Sequence, residues 1–76
     1  MSKYEDFKKK HLHYLAKVAA LGQPIGRDKK LLDVIKVFIA ELQAFLNEDR
    51  KKIGAKEAAE LTVWRDHWIN VTKPYK

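Results

Sequence analysis

The sequence predicts an all-α fold, a compact three-helix bundle with a long central helix and roughly antiparallel neighbours. Three observations predict it: apolar residues recur at helical spacing in three stretches, glycine and proline separate the first two, and no stretch alternates as a β-strand does. The predicted helices cover residues about 3–21, 28–52 and 55–71 of a single helical domain, 1–76. Short connections place consecutive helices side by side in opposite directions.

The first helix is predicted from its two ends and its apolar face. Ser2 and Glu5 have the spacing of a capping box, in which two side chains satisfy free backbone donors at a helix start. Gly22 and Pro24 favour an end at about Leu21, because glycine adopts the left-handed stop conformation and proline cannot continue a helix. The face expected to meet the core consists of Tyr4, Phe7, His11, Tyr14, Leu15, Val18 and Leu21.

The second helix should begin after Asp28, whose side chain and charge suit a helix N-terminus. Basic residues 50–52 complement the dipole at its expected end, and Gly54 terminates it. Its apolar arc is too wide for one neighbour, so we expect a helix on each side. The arc consists of Leu31, Leu32, Val34, Ile35, Phe38, Ile39, Leu42, Phe45, Leu46 and Ile53.

The third helix is predicted from about Ala55 to Val71, with Pro74 stopping it and a short basic tail following. Its apolar face consists of Ala58, Leu61, Trp64, Trp68, Ile69 and Val71, with Thr62 and Thr72 at the margin.

Composition narrows the class of protein. The chain has 76 residues and no cysteine, which excludes disulfides and thiolate zinc sites. The start of the chain is charged, and no apolar stretch is long enough to span a bilayer, so we expect a soluble, cytoplasmic protein without a membrane partner. The net charge is +6, of which residues 1–21 carry +3, so the chain permits binding to an acidic partner.

The titratable and nucleophilic residues predict no catalytic, cofactor-binding or metal site. His11 and His13 lie two residues apart, so on a helix they point in nearly opposite directions, and His67 has no histidine four residues away. Ser2 is the only serine and is explained as a cap. We therefore expect a protein that is not an enzyme and holds no cofactor.

His11 is unusual because it lies at the centre of the first helix's apolar face. We expect a packed histidine hydrogen-bonded to a tyrosine or a backbone carbonyl. The alternative is a pH-sensitive or functional group, since burial would lower its pKa. If it is only packed, replacement by leucine should be tolerated or stabilising.

Candidate partner-binding residues are Trp64, Arg65 and Trp68 on the third helix, because tryptophan and arginine dominate many protein interfaces. The competing interpretation places both tryptophans in the core, with the arginine stem covering it and the charged head in water. Lys8, Lys9 and Lys10 would steer an acidic partner, or equally form a solvated face.

We therefore expect a small non-catalytic protein-interaction module, an inhibitor or regulator that docks onto a larger, acidic protein. The alternative is a nucleic-acid-associated protein that binds phosphates through the same basic residues. A helix-turn-helix is not indicated, because the junction at Gly22 leads through a proline loop into a very long helix. A homodimer is a third interpretation, with Val37, Ala40 and Ala44 as the contact that lets two helices approach.

Overall fold

Three α-helices build the structure, a computed structural model that describes residues 3–48 and 53–75: α1 Lys3–Leu21, α2 Lys29–Glu48 and α3 Ala55–Thr72. Short 3-10 turns, Ile25–Arg27 and Lys73–Tyr75, follow α1 and α3. The predicted three-helix bundle is confirmed, and no strand occurs in the described ranges.

The helices run antiparallel to their neighbours in sequence, so α1 and α3 point the same way. Phe7, near the start of α1, contacts Phe45 near the end of α2, while Tyr14 further along α1 contacts Phe38. At the other side of α2, Lys36 donates a hydrogen bond to the backbone oxygen of Tyr75, just beyond α3.

The predicted helix ends agree with the structure where it describes them. Gly22 has φ +64°, the left-handed conformation that ends α1 at little steric cost. Asp28 caps α2, because its Oδ1 accepts a hydrogen bond of 3.0 Å from the Leu31 backbone N–H. The Ser2 cap, and the expected end of α2 with its basic residues 50–52, lie outside the described residues.

The core lies where the apolar faces of the three helices meet. Its innermost side chains, each no more than 1% exposed, are Ile35, Phe38, Leu42, Leu61 and Trp68. Two predicted core residues are corrected: Leu15 is 36% exposed and Val34 is 45% exposed. Both lie at the margin of their apolar face, because two neighbouring helices cover less than the full width of these faces.

The irregular segments contribute to the core, which the sequence did not indicate. Ile25 is 5% exposed within the segment expected to be only a loop. Residues 73–75, expected to be a tail, form a turn in which Tyr75 packs against the core and against Gly26. A Cβ atom at Gly26 would overlap the Tyr75 ring, so this close approach requires glycine.

Among residues 3–48 and 53–75, none of the helices combines the length and the apolar content that crossing a bilayer demands.

Gly26→Ala is expected to lower the free energy of unfolding by about 1–2 kcal/mol, because the added methyl group displaces the Tyr75 ring. Urea denaturation of Gly26→Ala, Tyr75→Ala and the double variant measures this effect. The two losses should overlap rather than add, since both remove one contact. Fully additive losses would show that the ring does not touch residue 26.

Candidate functional site

Aromatic rings attach α1 to the other two helices. Tyr4 stacks on Trp64 with ring centroids 5.7 Å apart, and Phe7 lies 5.3 Å from Phe45. Tyr14 meets Phe38 edge-on at 5.2 Å. Such pairs add roughly 0.5–1.5 kcal/mol each beyond the area they bury. These rings therefore form a continuous layer between α1 and the α2–α3 pair.

A buried hydrogen bond lies at the centre of this layer. The indole N–H of Trp68 donates to Nδ1 of His11 across 3.0 Å. Trp68 is 0% exposed and His11 is 8% exposed, so water does not compete for either group. Because Nδ1 accepts, the imidazole is neutral with its proton on Nε2.

The surroundings of His11 favour this neutral form. Its ring stacks on Trp64 at 4.7 Å with an interplanar angle of 13°, and the edge of His67 lies 6.3 Å away. Burial lowers the pKa of His11 below its ordinary value of 6.5, and the neighbouring His67 lowers that pKa further. Protonation would place two donors, imidazolium and indole, against each other.

His11 therefore differs from the sequence-based expectation in its partner. Its hydrogen bond goes to Trp68 rather than to a tyrosine or a backbone carbonyl. The expectation that leucine would be tolerated no longer follows, because leucine at position 11 would leave the buried indole N–H without an acceptor. Every buried side-chain nitrogen and oxygen in the described part of the chain now has a partner.

A second polar contact joins the start of α1 to α3. The Tyr4 hydroxyl donates a hydrogen bond to a Glu60 carboxylate oxygen. This hydrogen bond, together with burial and the Glu60 charge, raises the pKa of Tyr4 to about 12. Since Tyr4 also stacks on Trp64, both faces of that indole are covered, one by Tyr4 and the other by His11.

The structure does not bring the three candidate residues of α3 into one surface. Trp68 is fully buried, so it cannot contact a partner from this position and leaves the set of contact residues. Trp64 is half-buried, with its ring stacked against Tyr4 and His11. Arg65 faces the α2 side, where its guanidinium pairs with Asp66 Oδ1 at 3.1 Å. Neighbours on a helix diverge by about 100°, which separates Trp64 from Arg65.

The three candidate lysines of α1 are exposed but fan around the helix. Lys10 faces α2, where its Nζ lies 3.6 Å from a Glu41 carboxylate oxygen. Lys8 and Lys9 project successively further round. The three lysines therefore point in three different directions around α1 and do not form a single basic face.

The candidate dimer residues lie on the outward side of α2, as the sequence suggested. Val37 is 58% exposed, and Ala40 and Ala44 are also exposed. Whether a second copy covers them stays a prediction.

Sequence reasoning missed an exposed apolar strip on α1. Leu12 is 53% exposed and lies one helical turn before Leu15. With Ala16 and Ala19, which are exposed too, these residues have the i, i+3, i+4, i+7 spacing of a single face. That spacing was visible in the sequence, but it adjoins the core face and merged with it.

No group of three or more histidine, cysteine, aspartate or glutamate side chains in residues 3–48 and 53–75 is arranged to hold a metal ion.

Comparisons of the chain with protein-family models, with curated proteins and with solved structures find no match.

His11→Leu is expected to lower the free energy of unfolding by about 1–3 kcal/mol, because it orphans the buried Trp68 N–H. His11→Gln, whose amide oxygen can accept the same bond, should lose less. Chemical denaturation of both variants, alone and with Trp68→Phe, isolates the interaction. A leucine variant as stable as the wild type would contradict the hydrogen bond.

Stability should fall on mild acidification, because the folded state holds His11 with a lowered pKa. The neutral-histidine contribution is complete above the unfolded-state pKa, near 6.5, and is lost as the pH falls through the lower folded-state pKa. The slope is at most about 1.4 kcal/mol per pH unit for one proton. Denaturation midpoints between about pH 8 and 5, above most carboxyl titration, measure it.

The control for that titration is His13→Gln, which removes an exposed imidazole from the opposite side of α1 and should keep the wild-type slope. His11→Gln should flatten it. If the pH dependence of the unfolding free energy is unchanged in His11→Gln, another group causes the loss of stability in acid.

Proposed function

We propose that the protein is a small non-catalytic helical interaction module, which docks a helical face onto a larger, acidic protein and thereby inhibits or regulates it. The observation that carries the proposal is the exposure of paired apolar side chains on a basic chain. Leu12 and Leu15 on α1, and Val34 and Val37 on α2, are each one helical turn apart and between 36% and 58% exposed.

Burial of these side chains supplies the driving force for docking. Each Å² of apolar surface removed from water contributes roughly 25 cal/mol. Two neighbouring side chains on one helix can be covered together by a single partner surface, whereas isolated exposed residues are ordinary in soluble proteins. Paired exposure is therefore the feature that supports an interface.

Charge supports an acidic partner. The net charge of +6 attracts an oppositely charged surface and speeds the encounter more than it tightens the final complex. Lys8 lies one turn before Leu12 and contributes charge beside the apolar strip. Arg65 and Trp64, both half-buried, remain candidate contacts at other parts of the surface. A cytoplasmic location belongs to the same proposal.

The alternative, a nucleic-acid-associated protein, uses the lysines on phosphates. It does not need the exposed leucines and valines, and its binding should weaken steeply with salt. An oligomer built through Val37, Ala40 and Ala44 would instead show a stable dimer in sedimentation without any partner. One set of variants separates these outcomes.

The test is affinity capture from nuclease-treated host lysate, followed by reconstitution with the purified captured protein. We expect Leu12→Ser or Val37→Ser to reduce its binding about tenfold, the equivalent of 1.4 kcal/mol. Val63→Ser is the matched control, because that valine is 64% exposed but has no exposed large apolar side chain one turn away. Its binding should stay unchanged.

Capture that disappears on nuclease treatment would overturn the proposal in favour of the alternative. So would a captured protein that binds wild type and all three variants equally, since the exposed apolar pairs would then play no part.

A further inference from the structure

Helix topology gathers positive charge at one end of the bundle. The end of α1, the start of α2 and the end of α3 lie together there. Described residues in that half, 13–38 and 64–75, include seven basic and three acidic side chains, a net +4. Described residues in the other half, 3–12, 39–48 and 53–63, include five basic and six acidic side chains, a net −1, and residues 49–52, which lie outside the described residues, carry a further +2.

Two of the three acidic groups at the basic end are already engaged. Asp28 accepts the Leu31 backbone N–H, and Asp66 pairs with Arg65. The Asp66 charge is thus offset by an ion pair within the chain, whereas Asp28 keeps its charge at the start of α2 and the half remains net positive.

An apolar groove opens at this basic end, between the second half of α1 and the first half of α2. It is shallow and open to solvent, with a volume of about 470 Å³ over a floor that includes Ala16, Ala20 and Leu31. An adjoining hollow of about 350 Å³ continues it to Val34. Lys17 and Lys30, both exposed, line its sides, together with His13 and the capping residue Asp28. The alanines keep the floor low, so a partner backbone can approach closely.

We propose that this groove binds an acidic amphipathic helix of the partner protein. This inference rests on the proposed function and specifies where docking occurs and which chemistry is recognised. The apolar side of the bound helix covers Leu31 and Val34, while its carboxylates pair with Lys17 and Lys30. Helices commonly dock in this way into grooves between other helices.

Charge and polarity select this occupant over two others. A second copy of the chain would bring two +4 ends together, which like-charge repulsion opposes. A nucleic acid would set its phosphates against Lys17 and Lys30, but its sugars would lie over the alanine and leucine floor, which has no polar side chain to bind them. An acidic helix with one apolar side matches both the floor and the sides.

The experiment titrates the ¹⁵N-labelled full chain with a synthetic helical peptide of about 16 residues, roughly four turns, with leucines on one face and glutamates on the other. A matched peptide carries lysine at every glutamate position, and a single-stranded oligo-dT is a third probe. We expect the glutamate peptide alone to shift the amide signals of Ala16, Lys17, Ala20 and Leu31.

Matched variants separate the groove from net charge. Lys17→Gln/Lys30→Gln is expected to weaken the glutamate peptide about tenfold. Lys3→Gln/Lys56→Gln removes the same charge from exposed positions at the other end of the bundle and should change binding less than about threefold, through long-range attraction alone. Val34→Ser should weaken binding, and Val63→Ser should not.

If both double lysine variants weakened glutamate-peptide binding equally, the proposed binding groove would be wrong. Amide signal shifts outside the groove would also contradict it. Tighter binding of oligo-dT at the same residues would replace the helix with nucleic acid. If the captured protein binds Lys17→Gln/Lys30→Gln as well as wild type, the groove is wrong while the interaction module stands. If no nuclease-resistant protein is captured, the proposed function itself fails.

Discussion

The hydrogen bond between Trp68 and His11 is the interaction on which the arrangement of α1 depends. An indole N–H buried in the core must have an acceptor, and His11 Nδ1 supplies it at 3.0 Å. The bond joins α1 to α3 in one register, and the ring contacts of Phe7 and Tyr14 agree with that register. In the same orientation of α1, Leu12 is exposed.

A chain of 76 residues has little apolar surface to bury, so its irregular segments complete the core. Ile25 enters the core from the connection between α1 and α2, and Tyr75 packs over Gly26 from beyond α3. Lys36 ties the second turn to α2 through the Tyr75 backbone oxygen. These contacts bring the ends of all three helices together and concentrate the positive charge beside the α1–α2 groove.

The buried polar groups have their partners within the chain, whereas some of the exposed apolar side chains do not. Thr72 is 7% exposed, and its hydroxyl donates to the Trp68 backbone oxygen at 2.9 Å, so its burial leaves no unsatisfied group. The exposed Leu12 and Val37 have no such explanation within a single chain. They are the residues for which a partner offers a physical reason, and they support an interaction module more directly than the tryptophans do.

The sequence by itself determined the helices, because capping residues, glycine stops and apolar periodicity act within a few residues of chain. It therefore predicted the bounds of α1 and the Asp28 cap of α2. Only the tertiary structure decided which of two adjoining apolar strips on α1 faces the core, and which tryptophan is buried. Periodicity identifies an apolar face but not the element that covers it. The exposure of Leu12 and Leu15, and the burial of Trp68 rather than Trp64, therefore depended on the packing of three helices against one another.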